Sequence, residues 1–141
     1  MTAGQFIDTN ILLYSITDHP RDRAKRDIAV PLLEQPDNGL SVQVLQEFYV
    51  QATRATRPNP LSHELAVGFV RTWTLRFPVQ DVTIQVMNSA LEIKARFKLS
   101  YWDAAIVAAA RALGCPKLLS EDMAHGQIIA DVMIANPFLL K

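Results

Sequence analysis

Gln5-Phe6-Ile7-Asp8-Thr9-Asn10-Ile11-Leu12-Leu13-Tyr14 is the stretch from which the fold is read. Its first half is short and apolar, as a buried central strand would be. A carboxylate, a hydroxyl and an amide follow in succession, and then the apolar run resumes. A lone charge in such surroundings is costly unless something pairs with it. The strand is therefore expected to end at Asp8 and to carry that side chain at its carboxyl end. In an open α/β sheet, that edge is where ligands bind.

The rest of the chain is consistent with one domain over residues 1–141, and half of its residues are apolar, which is ample for one core. Fourteen basic residues balance fourteen acidic ones. A polycation is excluded, so any nucleic acid must be met by a local basic patch and a bound cation. Cys115 is the single cysteine. It allows no internal disulfide and suits a reducing compartment. It reads as a small residue after a helix-ending Gly114 rather than as a nucleophile. Asp8 interrupts any apolar leader, and no run approaches about 18 apolar residues. The expected location is the cytoplasm, with no membrane contact.

Going outward from the opening stretch, Asp18-His19-Pro20 reads as a helix start, with Pro20 near the first helical position. That helix carries Arg21, Arg23, Lys25 and Arg26, read either as a solvated face or as a phosphate-facing rim. Pro31 should kink or shorten it. Residues 35–39 read as a turn and 40–42 as a second strand, followed by a helix over 43–54 that contains Glu47. Arg54 and Arg57 fall in a proline-containing loop. Ser62 begins a helix with Leu65, Phe69, Val70 and Trp73 on one face. A short strand is expected at 79–82, and Thr83 caps a helix with Ile84, Met87, Leu91 and Phe97 turned inward. Ser100 caps an alanine-rich helix that is apolar nearly all round and hence buried. Asp103 lies in its first turn, where the helix dipole tolerates negative charge. Trp73 and Trp102 read as core residues. Residues 117–120 form a strand ending in Glu121-Asp122, and a last strand covers 132–134. Strands alternating with helices favour a parallel sheet with helices on both faces.

Asp8 and Asp122 follow short apolar strands, Asp103 opens a buried helix, and Glu47 lies early in the helix after the second strand. In a parallel sheet these positions share one edge. Taken singly, Glu47 reads as an exposed helical residue, and the others read equally as caps or dipole partners. Taken together, the repeated strand-then-acid placement points to a site. Converging carboxylates repel by about 4 kcal/mol at ~4 Å and an effective dielectric of ~20. They must protonate or take a cation. Oxygen donors without a His or Cys set favour Mg²⁺ or Mn²⁺. Such an ion polarises a phosphodiester, activates a water and stabilises the leaving oxygen. Thr9, Asn10 and Ser120 suit supporting roles that orient the carboxylates.

The motifs Phe6-Ile7-Asp8-Thr9-Asn10-Ile11-Leu12-Leu13-Tyr14, Ser41-Val42-Gln43-Val44-Leu45-Gln46-Glu47-Phe48-Tyr49, Tyr101-Trp102-Asp103-Ala104-Ala105-Ile106 and Leu118-Leu119-Ser120-Glu121-Asp122-Met123 resemble the PIN-domain ribonucleases, and among them the VapC-type toxins of toxin–antitoxin pairs. Asp8, Glu47, Asp103 and Asp122 match that family's acidic metal site, and Asn10 and Ser120 match its polar supporting positions. The resemblance implies a PIN-like domain with a central parallel sheet of about five strands flanked by helices. It also implies Mg²⁺ or Mn²⁺, endonucleolytic cleavage of RNA, dimers, and a small antitoxin whose tail covers the site. Pro31 departs from the expected pattern.

Three functions compete. The first is a metal-dependent RNA endonuclease, with Arg21, Arg23, Lys25, Arg26, Arg54 and Arg57 positioning the RNA backbone. The second is a catalytically weak module of the same fold that acts through a protein partner. The third is a phosphoryl-transfer domain with a nucleophilic Asp; it ranks lowest, because Asn10 stands two residues after Asp8 and no strand-ending Lys is present.

Overall fold

A computed structural model describes residues 3–139. Strand β1 is Gln5–Ile7, buried throughout. Helix α1 (Thr9–Ser15) follows at once, with Asp8 as its N-cap. A 3-10 turn at Pro20–Asp22, capped by His19, leads into α2 (Arg23–Glu34). Strand β2 (Asn38–Ser41) runs into α3 (Val42–Ala52), and α4 (His63–Arg76) precedes the short β3 (Val79–Gln80). Helices α5 (Ile84–Phe97) and α6 (Tyr101–Ala112) are capped by Thr83 and Ser100, as their sequences predict. Strand β4 is Lys117–Leu119, and β5 (Ile128–Ile129) forms a hairpin with β6 (Val132–Ala135).

The strand order is β3-β2-β1-β4-β6-β5. Neighbours pair in parallel up to β6, which gives the five parallel strands expected. The sixth strand, β5, is an antiparallel edge that the sequence reading missed. Its turn uses Ala130 and Asp131, both in the left-handed region at φ 51° and 70°. Asn-Gly or Asp-Gly, the pairs that advertise such a turn, are absent there.

Three other local expectations are corrected, and helix α2 is not shortened at Pro31. Asn38-Gly39 belongs to β2, not to a turn. Asn38 is fully buried because its amide is satisfied: Nδ2 donates to Leu32 O and Gln35 O, and Oδ1 accepts from Gln5 Nε2 at 2.7 Å. Gly39 suits a crowded position, since a Cβ there would stand 2.9 Å from Leu113 Cδ1, 3.2 Å from Ala3 Cβ and 3.3 Å from Cys115 Sγ. Helix α2 passes through Pro31 and ends only at Glu34. Helix α5 buries Ala90 and Ile93 and half-buries Val86 and Phe97, while Ile84 is 71% and Leu91 50% exposed, with Met87 also exposed. The helix has two apolar stripes, and the one with Val86, Ala90, Ile93 and Phe97 is covered, with α6 packed on the helix. In α4, Leu65 likewise faces out while Trp73 is buried.

Helix α6 is the buried spine, with every residue from Ala104 to Ala110 buried. It packs on α5 and against β2 and β4. Helix α1 packs on α2 and α3. Cys115 is buried, and burial pushes its thiol up to about 11, so it has no nucleophilic character. Among the described residues, no helix is long and apolar enough to cross a membrane.

Candidate active site

The strand order reverses at β1, with β2 and β3 to one side and β4, β6 and β5 to the other. A crevice opens at the carboxyl ends of the strands at such a switch point. The register Ile7↔Leu119 puts Asp8 beside Ser120, and the Asp8 N–H donates to Leu119 O at 3.0 Å. Asp8 is 4% exposed. One of its oxygens accepts from Thr9 N at 2.7 Å, and the other from Ser120 Oγ at 2.7 Å. Those bonds hold its pKa down, but burial outweighs them. With the negative charges of Asp122 and Glu47 nearby, the carboxyl is pushed up to about 6.

The other acids come to the same place. Asp8, Glu47, Asp103 and Asp122 all line one cavity of about 260 Å³, with Thr9, Asn10, Leu13, Gln51, Trp102 and Ile106. Each polar residue expected to support the acids holds a different one. Ser120 holds Asp8. Thr9 Oγ1 donates to Glu47 Oε1 at 2.6 Å, and Asn10 Nδ2 donates to Asp122 Oδ2 at 3.1 Å. Gln43 Nε2 adds a donor to Glu47 Oε2 at 3.1 Å. Ser120 Oγ also accepts from Asp122 N, so one hydroxyl spans two acids. Asp103 sits in the first turn of α6 with its N–H on Ser100 Oγ. Its carboxyl is raised by burial, and by the charges of Asp122 and Glu47.

Among the described residues, no three of these side chains close into a ready-made ion cage. They stand around the cavity instead, Asp8 hydrogen-bonded by Ser120, Glu47 by Thr9 and Gln43, and Asp122 by Asn10. That open set of oxygen donors fits a hard cation of the Mg²⁺ kind, which keeps several of its waters and takes only one or two carboxylates directly.

The basic residues separate. Arg21, Arg23 and Arg54 are exposed. Arg57 is half-buried and lines a second cavity of about 280 Å³ that shares Asn10, Leu13, Gln51 and Asp122 with the first. Arg26 is tied to Thr17 O at 2.9 Å, and Lys25 is paired with Glu121. Trp102, expected in the core, is 64% exposed at the rim of the acid cavity. Sequence reasoning overlooked Gln43, Tyr14 and Glu121. The signals were present: Gln43 is four residues before Glu47 and Tyr14 four after Asn10, one helical turn in each case.

A model of the PIN domain family matches residues 6–128. The chain belongs to the PIN domain family. Solved structures share the fold. A chain of FitAcB from Neisseria gonorrhoeae aligns with a TM-score of 0.70 at 20% identity, over 96% of this chain and 99% of that one. A chain of a toxin–antitoxin complex from Klebsiella pneumoniae gives 0.67 at 18%, over 94% and 97%. VapC20 of Mycobacterium tuberculosis, described as a toxin that cleaves the sarcin-ricin loop, gives 0.64 at 23%, over 84% and 91%. A comparison with curated protein sequences found no significant match.

Proposed function

We propose that the chain is a divalent-cation-dependent RNA endonuclease and the toxin of a toxin–antitoxin pair. The carrying observation is the buried Asp8 at the sheet's switch point, sharing one cavity with Glu47, Asp103 and Asp122. Membership of the PIN family supports the nuclease reading. The toxin reading is supported by structural neighbours of the same fold and length that are described as toxins or toxin–antitoxin complexes.

In this reading Asp8, Asp103 and Asp122, with Glu47 directly or through water, hold Mg²⁺ or Mn²⁺. The ion supplies charge neutralisation at the phosphate and an activated water. The chain's own residues do the rest. Ser120, Thr9 and Asn10 fix the carboxylates before substrate arrives. Arg57, next to the acids, and the exposed Arg54, Arg21 and Arg23 draw the RNA backbone in. Trp102 offers a base a stacking face at the rim. The exposed apolar residues Val82, Ile84, Met87 and Leu91 supply a surface for association, in keeping with a homodimer and an antitoxin in the cytoplasm.

Cleavage of a structured RNA with Mn²⁺, with EDTA, and by Asp8→Asn tests the mechanism. Activity is expected only for the wild-type protein with metal. Metal-independent cutting, or full activity in the variant, overturns it. Inactivity on many RNAs together with tight binding of a protein partner favours the binding module instead.

A further inference from the structure

Lys25 belongs to the basic run read from the sequence as a solvated face or a phosphate-facing rim, and it is neither. From α2, its Nζ pairs with Glu121 Oε2 and donates to Tyr14 Oη at 3.2 Å. Tyr14, on α1, donates its hydroxyl to the other Glu121 oxygen at 2.6 Å. The ammonium lies 4.9 Å from the Tyr14 ring centroid and 5.7 Å from that of Phe138, and the two rings meet edge to face at 5.1 Å. Lys25 and Tyr14 both close on the Glu121 carboxylate, with Phe138 packed against the two of them. Glu121 is the residue before Asp122.

The backbone links this cluster to the acid cavity. The Glu121 N–H donates to Asn10 Oδ1 at 3.3 Å, while the same Asn10 amide holds Asp122. Asp122 is exposed and sits in a loop after β4 with no strand partner. Its position therefore depends on Asn10, on Ser120 and on where Glu121 is fixed. Glu121 would also be a further negative charge beside four others. Lys25 neutralises it, and Glu121 lines the neighbouring cavity rather than the one shared by the four acids. Asp22 and Arg57 line the neighbouring cavity with Tyr14 and Glu121, but the ammonium is the group that closes on both Glu121 and the tyrosine.

We propose that Lys25, with Tyr14 and Glu121, is a positioning residue that braces the Ser120-Glu121-Asp122 loop, and so sets Asp122 for the cation, rather than a contact for RNA phosphate. Its kinetic consequence rests on the nuclease reading; its structural consequence does not.

The test compares Lys25→Met, Lys25→Arg, Glu121→Gln and the double variant Lys25→Met/Glu121→Gln. Three quantities are read: amide hydrogen exchange over residues 120–124, Mn²⁺ affinity by calorimetry, and kcat, KM and salt dependence on RNA. Lys25→Met and Glu121→Gln should each speed exchange and weaken Mn²⁺ binding by about tenfold, the lower end for a residue that orients a ligand. The double variant should be no worse than the worse single one, because both remove one interaction. Lys25→Arg should retain most of the affinity, and KM and the salt slope should stay unchanged. Unaltered exchange with unaltered Mn²⁺ affinity overturns the brace. So does a raised KM with a salt slope smaller by about one, the mark of a lost phosphate contact. A wild-type protein that neither binds Mn²⁺ nor cuts RNA refutes the nuclease reading instead, and the exchange data still decide the brace.

Discussion

Asp8 ties stability to chemistry. Its carboxyl is pushed up to about 6 in the fold, against the ordinary 3.8. The native state thus binds the proton more tightly than the unfolded chain, and stability falls as pH rises through that interval. The difference is worth about 3 kcal/mol at most, fully expressed above pH ~6 and absent below pH ~4. Asp8→Asn removes the buried charge. Its oxygen can accept from Thr9 N, but its NH₂ must then turn Ser120 Oγ into an acceptor, which takes back part of the gain. The variant should melt at higher temperature than the wild type in EDTA at pH 8, by roughly 1–2 kcal/mol, with the gap closing towards pH 4. Added Mn²⁺ should raise the melting temperature of the wild type and leave that of the variant nearly unmoved. Trp102 gives the second expectation at this scale. Its indole is exposed, with an edge-to-face contact to Tyr101, and its carbonyl accepts from Gln43 Nε2. Trp102→Ala should weaken RNA binding by 1–3 kcal/mol, read as a raised KM with little change in kcat or melting temperature.

At the scale of elements, the site is a product of register and caps. The pairing of β1 with β4 sets Asp8 beside Ser120, and caps at the starts of α1 and α6 place Asp8 and Asp103 at the same edge. The β5–β6 hairpin is the least specified element, because Ala130 occupies a left-handed conformation at φ 51°. An L-residue there costs about 1–2 kcal/mol. Glycine removes that cost and adds about 0.5–1 kcal/mol of unfolded-chain freedom. Ala130→Gly is therefore expected to stabilise the protein by about 0.5–1 kcal/mol in a denaturant melt, without affecting metal binding.

For the molecule as a whole, zero net charge leaves local features to decide association. The unburied stripe of α5 is one such feature, with Ile84, Met87 and Leu91 exposed beside Val82. If that stripe joins two copies, Leu91→Glu should shift the sedimenting species from dimer to monomer while its melting curve remains cooperative, since the side chain is already half in water. An unchanged sedimentation mass would assign the stripe to another partner or to none.

The sequence by itself determined most of the elements and the placement of the acids along them. The apolar run before Asp8 made a strand, Ser100 and Thr83 made caps, and the repeated strand-then-acid pattern pointed to one sheet edge. These are local statements, settled by a few neighbouring residues. Only the tertiary structure decided which apolar stripe of α5 is buried, that Trp102 stands outside, and that Asn38-Gly39 is strand. The reason is the same in each case: the deciding contact comes from residues far along the chain. The stripe on α5 was chosen by α6, and the side-chain oxygen of Asn38 was satisfied by Gln5. Lys25 was turned from a rim charge into a brace by Glu121, ninety-six positions away. Charge and periodicity are written residue by residue, whereas the partner that uses them is fixed only when the chain closes on itself.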